Sequence, residues 1–384
     1  MPDWLFVLWA GGTALLSYSL VYALRKPFTA AEFEGLQVYG MDYKIAVSII
    51  QLLGYVSAKL LGIKYISELR PEGRLKFIIG SAALSEISLI AFGVLPIPYN
   101  IVALYFNGLS LGCMWGVIFS FLEGRRTTDI LASIMGVSMA LSSGVAKSLG
   151  LYALNQLHVS EFWMPALIGA NLLLTVQRDI KEDFIVCIID VQTISSWAFA
   201  QIDSIATFVL LAVFALLATT YNHLKVLCML LILSTFGMGT LAFLGATEGN
   251  EHIPTTIWLF LQSLCLDIAY LSFQTIFFER FIACFKIKGN VGFFIITIDF
   301  VGYLGTLGLL LFKEFCASHI DWASFYNHMS LYIGTACCLA FIGSLAYMIY
   351  ARNRKQGSLP QKTEQPETKK KEKENNIYLT TSAI

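Results

Sequence analysis

The stretch Trp4-Leu5-Phe6-Val7-Leu8-Trp9-Ala10-Gly11-Gly12-Thr13-Ala14-Leu15-Leu16-Ser17-Tyr18-Ser19-Leu20-Val21-Tyr22-Ala23-Leu24-Arg25-Lys26-Pro27-Phe28 decides the fold class. Its apolar part is about twenty residues long, the length an α-helix needs to cross roughly 30 Å of hydrocarbon. It closes in two adjacent cations, which are costly to bury and mark a pathway, a ligand site or a headgroup contact. Met1-Pro2-Asp3 offers no basic leader and the run has no small-residue cleavage site, so it reads as a retained helix.

The same pattern repeats along the chain. Of 384 residues, 57% are hydrophobic and 14% charged, with a mean hydropathy of +0.67. A soluble domain of this length needs more polar surface, so the expected class is an all-α polytopic membrane protein. The short alternating segments of a β-barrel are not seen. Spans are expected near 4–24, 44–63, 75–95, 99–122, 130–154, 163–176, 198–220, 224–245, 255–278, 290–312 and 328–350.

Short loops set the orientation. Lys64, Arg70, Arg74 and Lys76 fill one, Arg125 and Arg126 another, and Arg280, Lys286 and Lys288 a third, whereas the Leu95-Pro96-Ile97-Pro98 turn carries no cation. The positive-inside rule then puts both termini in the cytoplasm of a multi-pass protein of the cell (inner) membrane. Parity complicates this. A single crossing by 163–176 would place every later basic loop outside, so residues 163–197 must cross twice or not at all. Pro165–Val176 and Phe184–Ile189 are both short and flank a charged run, Gln177–Asp183. The expectation is an incomplete helix pair or re-entrant element, tolerated only in protein or facing a water-filled cavity. Four regions follow: an N-terminal bundle over 1–160, a shortened junction over 161–197, a C-terminal bundle over 198–350, and a disordered Lys- and Glu-rich cytoplasmic tail over 351–384.

Several segments resemble the major facilitator superfamily, and within it an uncharacterised bacterial family catalogued as a domain of unknown function. The resemblance rests on Ser19–Ala31, Gln51–Lys64, Asn107–Gly116 continuing to Phe121-Leu122-Glu123-Gly124-Arg125-Arg126-Thr127-Thr128, and Lys288–Gly305. It implies a helical bundle of about 10–12 spans. A more distant similarity, to organophosphate:phosphate antiporters, implies an anion site. Arg25 matches their first-helix arginine, Arg178 in Leu172–Asp179 their seventh-helix arginine, and Lys59 their second-helix lysine. Arginine suits such a site because its fork of donors matches carboxylate or phosphate oxygens. The chain departs from the pattern where the inner halves of the sixth and seventh helices and the central loop are expected.

Each charge also has a plainer reading. Arg25 and Lys26 read as interfacial side chains or, for Arg25, as a cavity group; Lys59 reads equally as a snorkelling or a cavity-facing residue. Lys147 and Glu86 lie deep in their spans and would form a structural pair if they faced each other. Glu86, Asp267 and Asp299 are candidates for proton coupling or for hydrogen bonds to neighbouring helices. Arg178 reads as a ligand residue or part of a solvated loop. Arg70, Arg74, Glu123, Arg125 and Arg126 are expected in cytoplasmic gating loops. Glycines in Gly108-x-x-x-Gly112-x-x-x-Gly116 and Gly302–Gly308 are expected to let helices pack closely.

The eight cysteines have no CxxC spacing and read as packing residues. The five histidines lack metal-ligand spacing, and no HExxH, GxSxG or phosphate loop occurs. No cofactor, metal, enzymatic activity or nucleic-acid partner is expected. The expected function is secondary transport of a small organic anion, phosphate esters included, by a monomer in the lipid bilayer with proton coupling. Arg25, Lys59, Lys147 and Arg178 are the candidate binding residues. The rival is a non-transporting ligand sensor or a defective transporter copy.

Overall fold

The structure is a computed structural model that describes residues 3–68, 70–123, 127–178, 209–247, 255–286, 291–316 and 322–357. It is all-α apart from one small hairpin, and among the described residues nine helices are long and apolar enough to cross a membrane. The protein is an all-α polytopic membrane protein. Helices are the natural outcome of such runs, because in hydrocarbon every backbone N–H and C=O needs a partner within its own segment. Two compact units are present, residues 1–342 and 343–384, the second carrying the end of the last helix.

In chain order the helices are α1 (Asp3–Arg25), α2 (Tyr43–Glu68), α3 (Pro71–Val94), α4 (Asn100–Leu111), α5 (Met114–Phe119), α6 (Thr128–Asn155) and α7 (Met164–Arg178). Then come α8 (Val209–Ala218), α9 (His223–Ala246), α10 (Thr255–Ser272), α11 (Phe278–Phe285), α12 (Val291–Cys316) and α13 (Trp322–Gly357). Local chemistry sets several ends. Pro71 occupies the first turn of α3, where its missing N–H costs nothing. Asn222 caps α9 by accepting from the Lys225 amide at 3.2 Å. The span expected over 99–122 is divided at Gly112-Cys113 into α4 and α5. The span expected over 255–278 runs on to Phe285 and contains a π-turn at Phe273–Phe277.

Packing is tightest where α2 crosses α4. A Cβ added at Gly54 would overlap the Tyr105 carbonyl oxygen, and one at Gly108 the Gln51 carbonyl oxygen; at Gly112 it would come within 2.5 Å of the Ala58 Cβ. These glycines let two backbones touch, as small residues do between membrane helices. The second glycine run behaves differently. At Gly302, Gly305 and Gly308 on α12 an added Cβ would have nothing within 4 Å among the described residues, so the packing role expected for them is corrected: no described helix packs on that stripe. Instead α12 meets α2 through Leu307 and Tyr303 against Ile49, Leu52 and Val56.

The loop between α1 and α2, for which the sequence pattern suggests no element, is folded. Pro27–Ala30 forms a single 3-10 turn, and Gln37–Val38 pairs with Met41–Asp42 around Tyr39 and Gly40, both at positive φ. Phe33 stacks edge-on Tyr43 and Phe92 and lies beside Phe162, while the Glu161 carboxylate accepts from the Glu32 and Phe33 amides at 3.0 Å each. This aromatic cluster caps one end of the first bundle. The described part of the expected junction is α7, Met164–Arg178. The rest of that junction, including Cys187, and the tail beyond Gly357 lie outside the described residues.

A volume test separates the two glycine runs. Gly108→Val should remove most folded protein or lower its melting temperature sharply, an overpacking cost of about 1–3 kcal/mol or more. Gly302→Val should leave it unchanged within about 0.5 kcal/mol. Scanning fluorimetry of the detergent-purified variants reads both.

Candidate functional site

The site is built on one face of α2. Gln51, Tyr55 and Lys59 follow each other at intervals of four, so all three project to the same side. Gln51 reaches Asn107 of α4, its amide Nε2 donating to Asn107 Oδ1 at 2.8 Å and to the Arg25 carbonyl at 3.3 Å. Asn107, fully buried, donates in turn to the Leu24 carbonyl at 3.1 Å and to Ser85 Oγ at 2.7 Å. The last carbonyls of a helix have no partner within it. Here Gln51 and Asn107 satisfy the last two of α1, those of Arg25 and Leu24, and thereby fix where Arg25 emerges.

The Arg25 guanidinium lies over the Tyr55 ring at 4.2 Å from its centroid, and 5.4 Å and 5.8 Å from the rings of Tyr303 and Tyr22. Tyr55 and Tyr303 stack on each other at 5.4 Å, joining α2 to α12. Among the described residues Arg25 has no carboxylate within ion-pair distance, and its guanidinium makes no hydrogen bond. Desolvating a cation costs several kcal/mol, and each aromatic face returns roughly 0.5–2 kcal/mol. The tyrosines therefore offset part of the cost and leave the guanidinium's donors unspent.

One turn further along α2, Lys59 is buried, 4% exposed, and its Nζ donates to Asp299 Oδ2 of α12 at 2.5 Å. The other Asp299 oxygen accepts from Gln274 Nε2, which the π-turn presents from the α10–α11 segment. Such π-turns often mark functional positions. Lys59 also stands 5.2 Å from the Tyr303 ring. The alternatives for Lys59 thus resolve towards the interior, where a carboxylate neutralises it. Asp299, expected as a lone carboxylate, is a paired one.

The structure brings Arg25, Lys59 and Asp299 together, and Asp267 lines a cavity that shares Gln274 with them. It does not bring in Lys147, which stands exposed on α6. Glu86 sits on α3 against Gly169 of α7, with neither carboxylate oxygen hydrogen-bonded among the described residues. The pair that Glu86 and Lys147 would make if they faced each other is not formed. Helix α7 ends at Arg178, whose side chain lies outside the described part of the chain.

The expected gating residues fall in three groups. Arg74 donates to the Ser120 carbonyl at 2.8 Å, and Glu123 Oε1 accepts from the Val291 amide at 3.2 Å, joining the loop after α5 to the start of α12. Arg70 is exposed ahead of α3, and Arg125 and Arg126 lie outside the described residues. A further ionic contact at that end escaped the sequence reading. Arg280 of α11 pairs with Asp129 at the start of α6 and also donates to the Thr220 carbonyl at 3.1 Å. Among the described residues no group of His, Cys, Asp and Glu could hold a metal ion.

Residues 27–173 and 167–351 match a family of unknown function, DUF5690. The chain belongs to this family. No curated protein is significantly similar to it. The two matched stretches overlap at 167–173, within α7, and between them carry Tyr55, Lys59, Gln274, Asp299 and Tyr303. The DUF5690 match therefore includes both partners of the buried ion pair, with Arg25 just ahead of its first stretch.

The missed residues were within reach of a simple signal. Tyr22 precedes Arg25 by three, Tyr55 precedes Lys59 by four and Tyr303 follows Asp299 by four, which is helical-neighbour spacing. A double-mutant cycle tests the pair. Asp299→Leu alone should destabilise by about 3–5 kcal/mol because it strands a buried ammonium, whereas Lys59→Met with Asp299→Leu should recover most of that loss. Chemical denaturation in detergent measures the coupling.

Proposed function

We propose that this protein is a secondary transporter of a small organic anion, with a fold of the major-facilitator kind, and not an enzyme. The observation that carries this is Arg25, a largely desolvated guanidinium held on three tyrosine faces with no carboxylate among the described residues to neutralise it. An intramembrane cation with unspent donors suits a carboxylate or phosphate ligand. Its surroundings suit alternating access. Among the described residues the stretch before α8 and the stretch after it meet through apolar and aromatic packing of α12 on α2 and through three polar bridges, Lys59 with Asp299, Asp129 with Arg280 and Glu123 with the Val291 amide. Bridges of this kind can be broken on one side of a central site while the other closes.

Under this reading Arg25 binds the anion, and Lys59 supplies a second cation only when Asp299 releases it. Lys147 has no part in the site. Among the carboxylates, Glu86 is the one we assign to proton coupling. Among the described residues its oxygens have no hydrogen-bond partner, whereas Asp299 is committed to Lys59. The basic loops and both termini face the cytoplasm by the positive-inside rule.

A second reading is a ligand sensor that does not transport. Both readings share the anion site and differ in flux.

Two experiments follow. Organic anions such as sugar phosphates, dicarboxylates and monocarboxylates should raise the melting temperature of the parent in a concentration-dependent way. Arg25→Ala should lose that rise while melting cooperatively, with a drop in affinity of at least tenfold; counterflow in proteoliposomes then separates transporter from sensor. For coupling, Glu86→Gln should keep anion exchange and lose accumulation driven by an imposed pH gradient. Retention of that accumulation would move the proton to another group.

A further inference from the structure

Next to Gln274, the partner of Asp299, the fold forms a partly open cavity of about 460 Å³, within the roughly 300–1,000 Å³ usual for small-molecule sites. Its wall is mainly apolar and aromatic, with Phe273, Phe278, Phe341, Met238, Ile295 and Ile298 contributing. The polar lining consists of Asp267, Tyr270 and Gln274, and no cation is among the lining residues. Two of these three connect the cavity to the charged cluster. Gln274 donates to Asp299, the partner of Lys59, and Tyr270 stands within electrostatic reach of Asp299, Tyr303, Tyr22 and Arg25.

We propose that this cavity holds the apolar body of a single-headed amphipathic organic anion whose charged group binds at Arg25. The inference rests on the anion site proposed above and narrows its substrate class. A polyhydroxylated body would bury several hydroxyls against a wall offering three polar side chains, and unpartnered hydroxyls are penalised. An acyl or aromatic body meets phenylalanine and isoleucine instead. The wall sets the other limit. It is mainly apolar and no cation lines it, so a second negative charge would be desolvated there without a counter-charge, the anionic group is confined to the Arg25 end, and a dianion charged at both ends is rejected. The π-turn places both requirements on one segment, since Phe273 lines the cavity while Gln274 reaches Asp299.

The test is a titration of the full chain in phosphatidylcholine nanodiscs with acetate, butanoate, hexanoate and the six-carbon dicarboxylate adipate. Heats are read against Arg25→Ala so that partitioning into the bilayer subtracts. Affinity should rise about fourfold for each methylene buried, and adipate should bind no better than acetate. Phe273→Ala and Ile298→Ser should flatten that slope, a readout internal to each variant. Arg25-dependent binding with no dependence on chain length would overturn the cavity assignment and leave the anion site standing. Absence of any Arg25-dependent binding would remove the anion site itself. Adipate binding as tightly as hexanoate would overturn the single-headed restriction. If phosphatidylglycerol nanodiscs abolish hexanoate binding, the occupant is a lipid and the proposal fails.

Discussion

Everything at the centre of this protein depends on the contact between α2 and α4, where Gly54 and Gly108 allow two helix backbones to touch. That contact fixes the rotation of α2. With Gly54 and Ala58 turned to α4, Gln51 stands beside that seam and bonds both Asn107 of α4 and the end of α1, while Tyr55 and Lys59 reach the guanidinium of Arg25 and Asp299 of α12. A rotation of one residue, 100° on a helix, would turn these three side chains away from their partners. Close packing is thus what converts a spacing in the sequence into a site.

The charges inside the bundle show how an apolar solvent ranks solutions. Direct pairing is used at Lys59 with Asp299 and at Arg280 with Asp129. Each pair links a helix before α8 to one after it, so ionic attraction between the two stretches is concentrated at a few points. Arg25 is handled by aromatic faces, which stabilise a cation without cancelling its charge. Glu86 receives neither treatment. A carboxylate and a guanidinium left in these two conditions are the groups that respond most to a proton and to an anion, which is why the proposed function divides the roles between them.

The fold class was legible because run length and composition report directly on the bilayer. Span positions followed too, to within a few residues at most ends. Rotation about each helix axis was not legible. Two glycine runs with similar spacing, Gly108–Gly116 and Gly302–Gly308, read alike, yet Gly108 and Gly112 meet α2 and the second run meets no described helix. The same blindness kept Lys147 among the binding candidates, since depth in a span says nothing about which way a side chain points. Lys59 and Asp299 are 240 positions apart, and only the packing of α12 on α2 makes them a pair. Arg25 was found from its place at the end of a span. Its tyrosine surroundings were not found, although their helical spacing stands in the sequence.

Pairing across the two stretches also constrains how the molecule could work. Separating Lys59 from Asp299 inside the bundle strands two charges, and a buried pair broken that way loses about 3–5 kcal/mol. Thermal fluctuation alone would populate such a state at well under 1%. An anion arriving beside Arg25 changes the balance, because Lys59 can then turn to the ligand in place of Asp299, with Gln274 still donating to the carboxylate it leaves. A ligand that stabilises the separated state selectively shifts the population towards it, by as much as its differential affinity and no more. Under the proposed function the ion pair would serve as a latch whose release is tied to a negatively charged ligand. An uncharged solute filling the neighbouring cavity would leave the latch closed.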